Sequence, residues 1–163
     1  MGLCPIQRRL WAKRGVRPIA YHLRKYKWTY IYAFVHPQTG RSYWLLLPTV
    51  NLETMKIALS YFVKAINPRK NKIIMLLIDQ AGFHKLQEED IPEGIVLYKL
   101  PAYSPELQPA EPLWPLLKEP IANKYFNNIE ELDDVLVARC NWLRKNTDVV
   151  RGASGFKWIF CAS

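Results

Sequence analysis

The feature that most constrains the fold is Ile73-Ile74-Met75-Leu76-Leu77-Ile78-Asp79, an apolar run that stops abruptly at an acid. A short run that is apolar at every position reads as a strand covered on both faces, the pattern of an internal strand in an α/β sheet. Helices must then lie over the sheet, because each face has to be buried against another layer. Open α/β sheets gather ligands outside the carboxyl ends of their strands, so Asp79, at that tip, is the first candidate for chemistry.

The flanking sequence supplies the rest of such a fold. Residues 26–35 are rich in aromatic and β-branched types and predict a strand. His36-Pro37-Gln38-Thr39-Gly40 predicts a turn and Arg41 to Leu47 the returning strand of a hairpin. Asn51 is placed to cap a helix whose buried face is Leu52, Met55, Leu59, Phe62, Val63 and Ile66. A short acidic helical stretch is predicted near residues 85–90 and a strand over Ile95 to Leu100. A proline-rich loop leads to a helix from about Ala110 to Glu119. Pro112 suits its first turn, Pro115 is awkward and Pro120 ends it. Asn128 caps a long final helix with Ile129, Leu132, Val135, Leu136, Cys140 and Leu143 on one side, and residues 146–163 show no clear pattern. The order predicts one domain with a mixed sheet flanked by helices.

Charge narrows the partner. The 163 residues carry a formal net charge of +9. Residues 1–52 hold nine basic residues and no acid, interleaved with Trp11, Tyr21, Tyr26, Trp28, Tyr30 and Tyr32. Residues 53–163 are balanced, so the whole excess lies in the first third. A basic, aromatic segment points to a polyanion, most simply nucleic acid; the plainer reading is a solvated basic surface. No apolar run approaches the length of a membrane span, and no secretory leader is evident. Cys4, Cys140 and Cys161 fit no zinc or redox spacing and are read as reduced thiols in a cytosolic protein.

The second informative stretch is Leu100-Pro101-Ala102-Tyr103-Ser104-Pro105-Glu106-Leu107-Gln108-Pro109-Ala110-Glu111, which delivers another acid near a helix start. A strand-end carboxylate and one on a neighbouring helix can share a divalent cation, as metal-assisted phosphodiester chemistry requires. Taken singly, Asp79 could cap the following loop and Glu111 could complement a helix dipole. Glu106 lies in the preceding loop, where its expected role is hydrogen bonding.

Together with Ile78-Asp79-Gln80-Ala81-Gly82-Phe83-His84 and the continuation Pro112-Leu113-Trp114, this loop resembles the catalytic domain of mariner-like bacterial insertion-sequence transposases, members of the DDE superfamily with a ribonuclease-H-like fold. The similarity extends to residues 8–18 and 128–143. The resemblance implies DNA strand cleavage and strand transfer, with three acids holding two Mg²⁺ or Mn²⁺ ions. It places the second acid on Asp79 and the third on Glu111, with 31 residues between them. The first acid normally ends a strand a few residues before the arginine–arginine–x–tryptophan segment. No acid precedes Glu53 here. The expectation is therefore an N-terminally truncated catalytic domain over residues 1–163. It would lack the first, central strand and any helix-turn-helix DNA-recognition domain.

Arg8, Arg9, Trp11, Lys13, Arg14, Arg17 and His84 are the expected DNA contacts, with Trp114 expected in the core. DNA, as transposon ends and target, is the implied partner. A homodimer in the prokaryotic cytosol or nucleoid is expected, with no membrane and no small-molecule cofactor. The alternatives are a non-catalytic DNA-binding remnant that has lost the first acid, and an unrelated basic α/β protein whose acids are structural.

Overall fold

A computed structural model describes residues 1–9, 11–16, 26–67, 69–79 and 86–155. Two strands, β1 (Tyr30–His36) and β2 (Arg41–Leu47), form the hairpin, antiparallel with Tyr30 opposite Leu47 and His36 opposite Arg41. The first strand begins at Tyr30 rather than Tyr26. Residues 27–29 instead run beside the start of the chain, where the Leu3 amide donates to the Lys27 carbonyl (3.1 Å) and the Thr29 amide to the Met1 carbonyl (2.8 Å). Gly40 closes the turn with φ of +70°, the left-handed region that glycine enters without steric cost.

Helix α1 (Leu52–Ile66) starts where Asn51 predicts it. The Asn51 side chain accepts from the Thr54 amide, and the Thr54 hydroxyl accepts from the Asn51 amide, a reciprocal capping box. Met55, Ala58, Leu59, Phe62 and Val63 form its buried face. Strand β3 (Ile74–Ile78) pairs with β4 (Ile95–Lys99) in parallel, Ile74 opposite Ile95 and Ile78 opposite Lys99.

The strands thus form two two-stranded sheets, one antiparallel and one parallel, and among the described residues no strand joins them. What spans both is α1. Its apolar face meets Tyr32, Phe34, Tyr43 and Leu45 of the hairpin and Ile74, Leu76, Ile95 and Leu97 of the parallel pair. Phe34 stacks on Phe62 with centroids 4.2 Å apart, and the Tyr32 hydroxyl bonds the Thr54 hydroxyl at 2.8 Å. Fully burying a side chain such as Leu59 stabilises by about 1.5–3 kcal/mol, so this helix is the main clamp between the sheets.

The opposite face of the hairpin carries a second core. Ile31, Val35, Trp44 and Leu46 pack against α2 (Leu113–Lys118), α3 (Ile129–Lys145) and α4 (Thr147–Ser154), through Leu113, Leu117, Leu132, Leu136, Leu143 and Val150. The alternation of odd and even residues along β1 therefore serves two helical layers, as strand geometry dictates. Asn128 caps α3 by accepting from the Glu131 amide at 2.8 Å. Trp114 is a core anchor, as expected, meeting Trp44 edge to face with centroids 6.4 Å apart.

Three further expectations change. Strand β3 is not covered on both faces: Met75 is 67% exposed, as is Ile73 just before the strand (82%), since the helical layer over the hairpin does not extend across β3 and β4 among the described residues. Helix α2 starts at Leu113, not Ala110, because residues 108–112 wind through tighter turns in which the Glu111 amide donates to Gln108 and the Leu113 amide to Ala110. Pro115 then falls in the first helical turn, where its missing N–H has no partner to lose. The tail expected to lack pattern contains α4, whose buried Val150 and Ser154 lie one turn apart.

Candidate active site

Asp79 follows the last residue of β3 and is half-buried. Glu111 lies in the turn that leads into α2 and is exposed. Both line one cavity of about 410 Å³, walled by residues 30–34 of β1, residues 76–78 of β3 and the segment around Gln108 and Ala110. The two acids therefore border one cavity, at the carboxyl end of β3. Hard carboxylate oxygens of this kind are the donors that Mg²⁺ and Mn²⁺ take. Among the described residues no group of three or more His, Cys, Asp or Glu side chains is placed to hold a metal ion.

Glu106 sits on the exposed short helical turn Pro105–Leu107 and does not line this cavity. Two further residues on the cavity wall carry chemistry that the sequence did not flag. Gln108 contributes an amide, and Lys118 a cation, beside Trp114. Tyr103, in the loop before these acids, has φ of +59° and is fully exposed. Such a conformation in a bulky residue stores strain, and strain of this kind concentrates at functional loops.

The basic segment is attached to the same region. The Arg8 guanidinium donates to the Pro115 carbonyl at 3.1 Å and the Arg8 amide to the Asn123 side-chain oxygen at 2.8 Å. Ile6 bridges Ala122 in parallel, and the Asn123 amide donates to the Ile6 carbonyl at 2.8 Å. Arg8 is therefore a structural tie as well as a charge. Arg9, Lys13 and Arg14 are exposed, and Trp11 projects wholly into solvent. Arg17 and His84 lie outside the described residues. Of the expected site residues, then, the fold brings Asp79 and Glu111 to one cavity and tethers Arg8, with the charges that follow it, to the helix next to the second acid. Cys140, by contrast, is packed in the helical core, where burial pushes its thiol up to about 12, and it has no part in the site.

Comparison with known proteins adds three findings. Residues 2–133 match the family described as DDE superfamily endonuclease. A protein of Sinorhizobium fredii (strain NBRC 101917 / NGR234), named Uncharacterized protein y4pE/y4sA, is 30% identical over 122 residues, which span 74% of this chain and 87% of that protein. The solved structure of a Mos1 transposase paired-end complex with left transposon end superposes with a TM-score of 0.55 at 17% identity, covering 93% of this chain and 51% of that one. The chain thus spans about half the length of that transposase and shares its mixed α/β, ribonuclease-H-like fold.

Proposed function

Because the chain belongs to the DDE superfamily endonuclease family, we propose that it is a transposase-type catalytic domain that acts on DNA phosphodiesters with Asp79 and Glu111 as its metal-holding acids. The observation that supports this reading is that both line one cavity at the carboxyl end of β3. A divalent ion held there would activate the attacking oxygen and stabilise the leaving one. Every other task falls to the chain itself. The half-buried Asp79 is fixed by the strand it ends, whereas Glu111 is fixed by the turns that wind into α2. Lys118, on the same wall, offsets the charge of a bound phosphate. Arg9, Lys13 and Arg14 hold phosphates along the strand, and the exposed Trp11 ring offers a surface on which a base stacks. The related solved transposase carries transposon-end DNA, and the same partner class is proposed here. No helix among the described residues is long and apolar enough to cross a membrane.

A second reading has an observation in its favour. Arg9, Lys13, Arg14 and the Trp11 ring are all exposed, which fits a domain that binds DNA through its basic segment without cutting it. Mn²⁺ titration of the purified chain, alone and with Asp79→Ala or Glu111→Ala, bears on the acids directly. Saturable binding that either substitution weakens supports them as ligands; identical isotherms for all three proteins would remove that role. Metal-dependent nicking of duplex DNA then separates the two readings.

A further inference from the structure

Helix α2 is six residues long, and isolated helices shorter than about 12 residues are marginal in water, so its place depends on ties to the rest of the fold. Two prolines loosen it further. Pro115 and Pro120 have no amide hydrogen, so the carbonyls four residues earlier, those of Glu111 and Leu116, have no helical donor. The Glu111 carbonyl accepts from the Trp114 amide instead, at 3.2 Å. The Leu116 carbonyl accepts from a side chain of another helix: Nε of Arg139 donates to it at 2.9 Å.

Arg139 is itself held on three sides. It stands on α3, which Leu136, Cys140 and Leu143 anchor in the helical core, and its side chain is only 16% exposed. The same guanidinium donates to the Glu119 carboxylate and lies over the Trp142 ring, 4.4 Å from its centre. A planar fork can serve a carbonyl, a carboxylate and an aromatic face together, which a lysine ammonium does poorly. The neighbouring Pro115 carbonyl takes the exposed Arg8, so Arg139 is the more buried of two guanidinium ties to adjacent carbonyls of α2.

The cargo of α2 gives this tie a consequence. Glu111 lies five residues before Leu116 and Lys118 two residues after it, and both line the cavity that Asp79 borders. Arg139 does not line that cavity. We infer that Arg139 is a positioning residue for Glu111: by filling the bond that Pro120 leaves open, it fixes how far α2 advances along α3, and so where the second acid stands relative to Asp79. This deepens the metal reading above and rests on it. Partners that orient a metal ligand from outside typically control affinity by 10–100-fold.

The test uses the full chain with Mn²⁺ as the probe, below the melting temperature of every variant. Arg139→Gln is expected to speed amide exchange within residues 113–118 and to weaken Mn²⁺ binding roughly 10-fold. Removing a cation would by itself strengthen the attraction of the acids for Mn²⁺, so a weakening reports geometry and not charge. Asn128→Ala is the control, because it loosens α3 at its cap and leaves the Leu116 contact in place; its Mn²⁺ affinity should match wild type. Arg139→Lys keeps the charge without the fork, serves should Arg139→Gln not fold, and is expected to bind Mn²⁺ several-fold more weakly than wild type. Because Arg139 acts through Glu111, Arg139→Gln combined with Glu111→Ala should bind no more weakly than Glu111→Ala alone. Unchanged exchange in Arg139→Gln overturns the inference. So does faster exchange with wild-type Mn²⁺ affinity, which leaves only a structural tie, or a full further loss in the double variant. Each of these leaves the metal reading standing, whereas identical isotherms for wild type and Glu111→Ala overturn that reading and this inference with it.

Discussion

Replacing Gly40 with alanine puts a methyl group where the hairpin turn touches α4. A Cβ there would overlap the Thr147 carbonyl oxygen and stand 2.9 Å from the Arg151 backbone nitrogen. These are main-chain atoms, so no rotamer change relieves the clash; the first turn of α4 must lift away from the hairpin. Two costs combine. Holding alanine at φ of +70° costs about 1–2 kcal/mol. Overpacking against fixed neighbours adds about 1–3 kcal/mol. The expected loss is therefore about 2–5 kcal/mol, or a urea midpoint lower by roughly 1–2.5 M with m near 2 kcal/mol/M. Gly15 is the internal reference, since it has φ of +87° with nothing within 4 Å of an added Cβ. Gly15→Ala should lose only the backbone term. Gly94 falls between them, with φ of +86° and the Lys72 carbonyl oxygen 3.1 Å from the added atom. Midpoints should fall in the order Gly15→Ala, Gly94→Ala, Gly40→Ala, with the last lowest. Equal midpoints for Gly40→Ala and Gly15→Ala would refute the claim that α4 is seated on the turn.

Asn51→Ala removes the acceptor of the α1 capping box and should lower stability by about 1 kcal/mol, read by thermal melting. Asp133 has one carboxylate oxygen buried without a hydrogen-bond partner among the described residues, and burial holds its carboxyl above the ordinary value despite a side-chain bond to Thr29. A raised carboxyl contributes its stability at low pH and loses it as pH rises through the folded value. Asp133→Asn should therefore melt higher than wild type at neutral pH, with the gap closing toward pH 3; a constant gap across that range would contradict the assignment. DNA affinity should fall linearly on a log–log plot against salt. Neutralising Arg9, Lys13 and Arg14 together should flatten that slope by about 3, near 0.9 for each phosphate left without its cation. An unchanged slope would place the phosphates elsewhere.

Much of the architecture was readable because local signals and burial agreed. Asn51 and Asn128 marked the starts of α1 and α3, and β2 matched its predicted bounds, because capping and turn chemistry are short-range. The misses have tertiary causes. Strand β1 starts late because residues 27–29 bond to the chain's first residues, a pairing no local pattern encodes. Helix α4 was invisible because it is short, contains β-branched Val149 and Val150 and Gly152, and is held by docking to β2. Apolarity at every position of residues 73–78 implied cover on both faces, but apolar runs report what a strand tolerates and not what packs on it. At the site, Asp79 and Glu111 stood out through their motifs, whereas Gln108 and Lys118 came to the same wall only through the turns before α2.

The edge-to-face contact of Trp44 with Trp114 places an aromatic couple across the joint between hairpin and helix, three residues from Glu111. Two indoles at that separation and tilt couple their electronic transitions, so the pair should give a near-ultraviolet dichroic band that vanishes when either ring is replaced by leucine. The protein thus carries a built-in optical gauge of whether its second acid is still held in place.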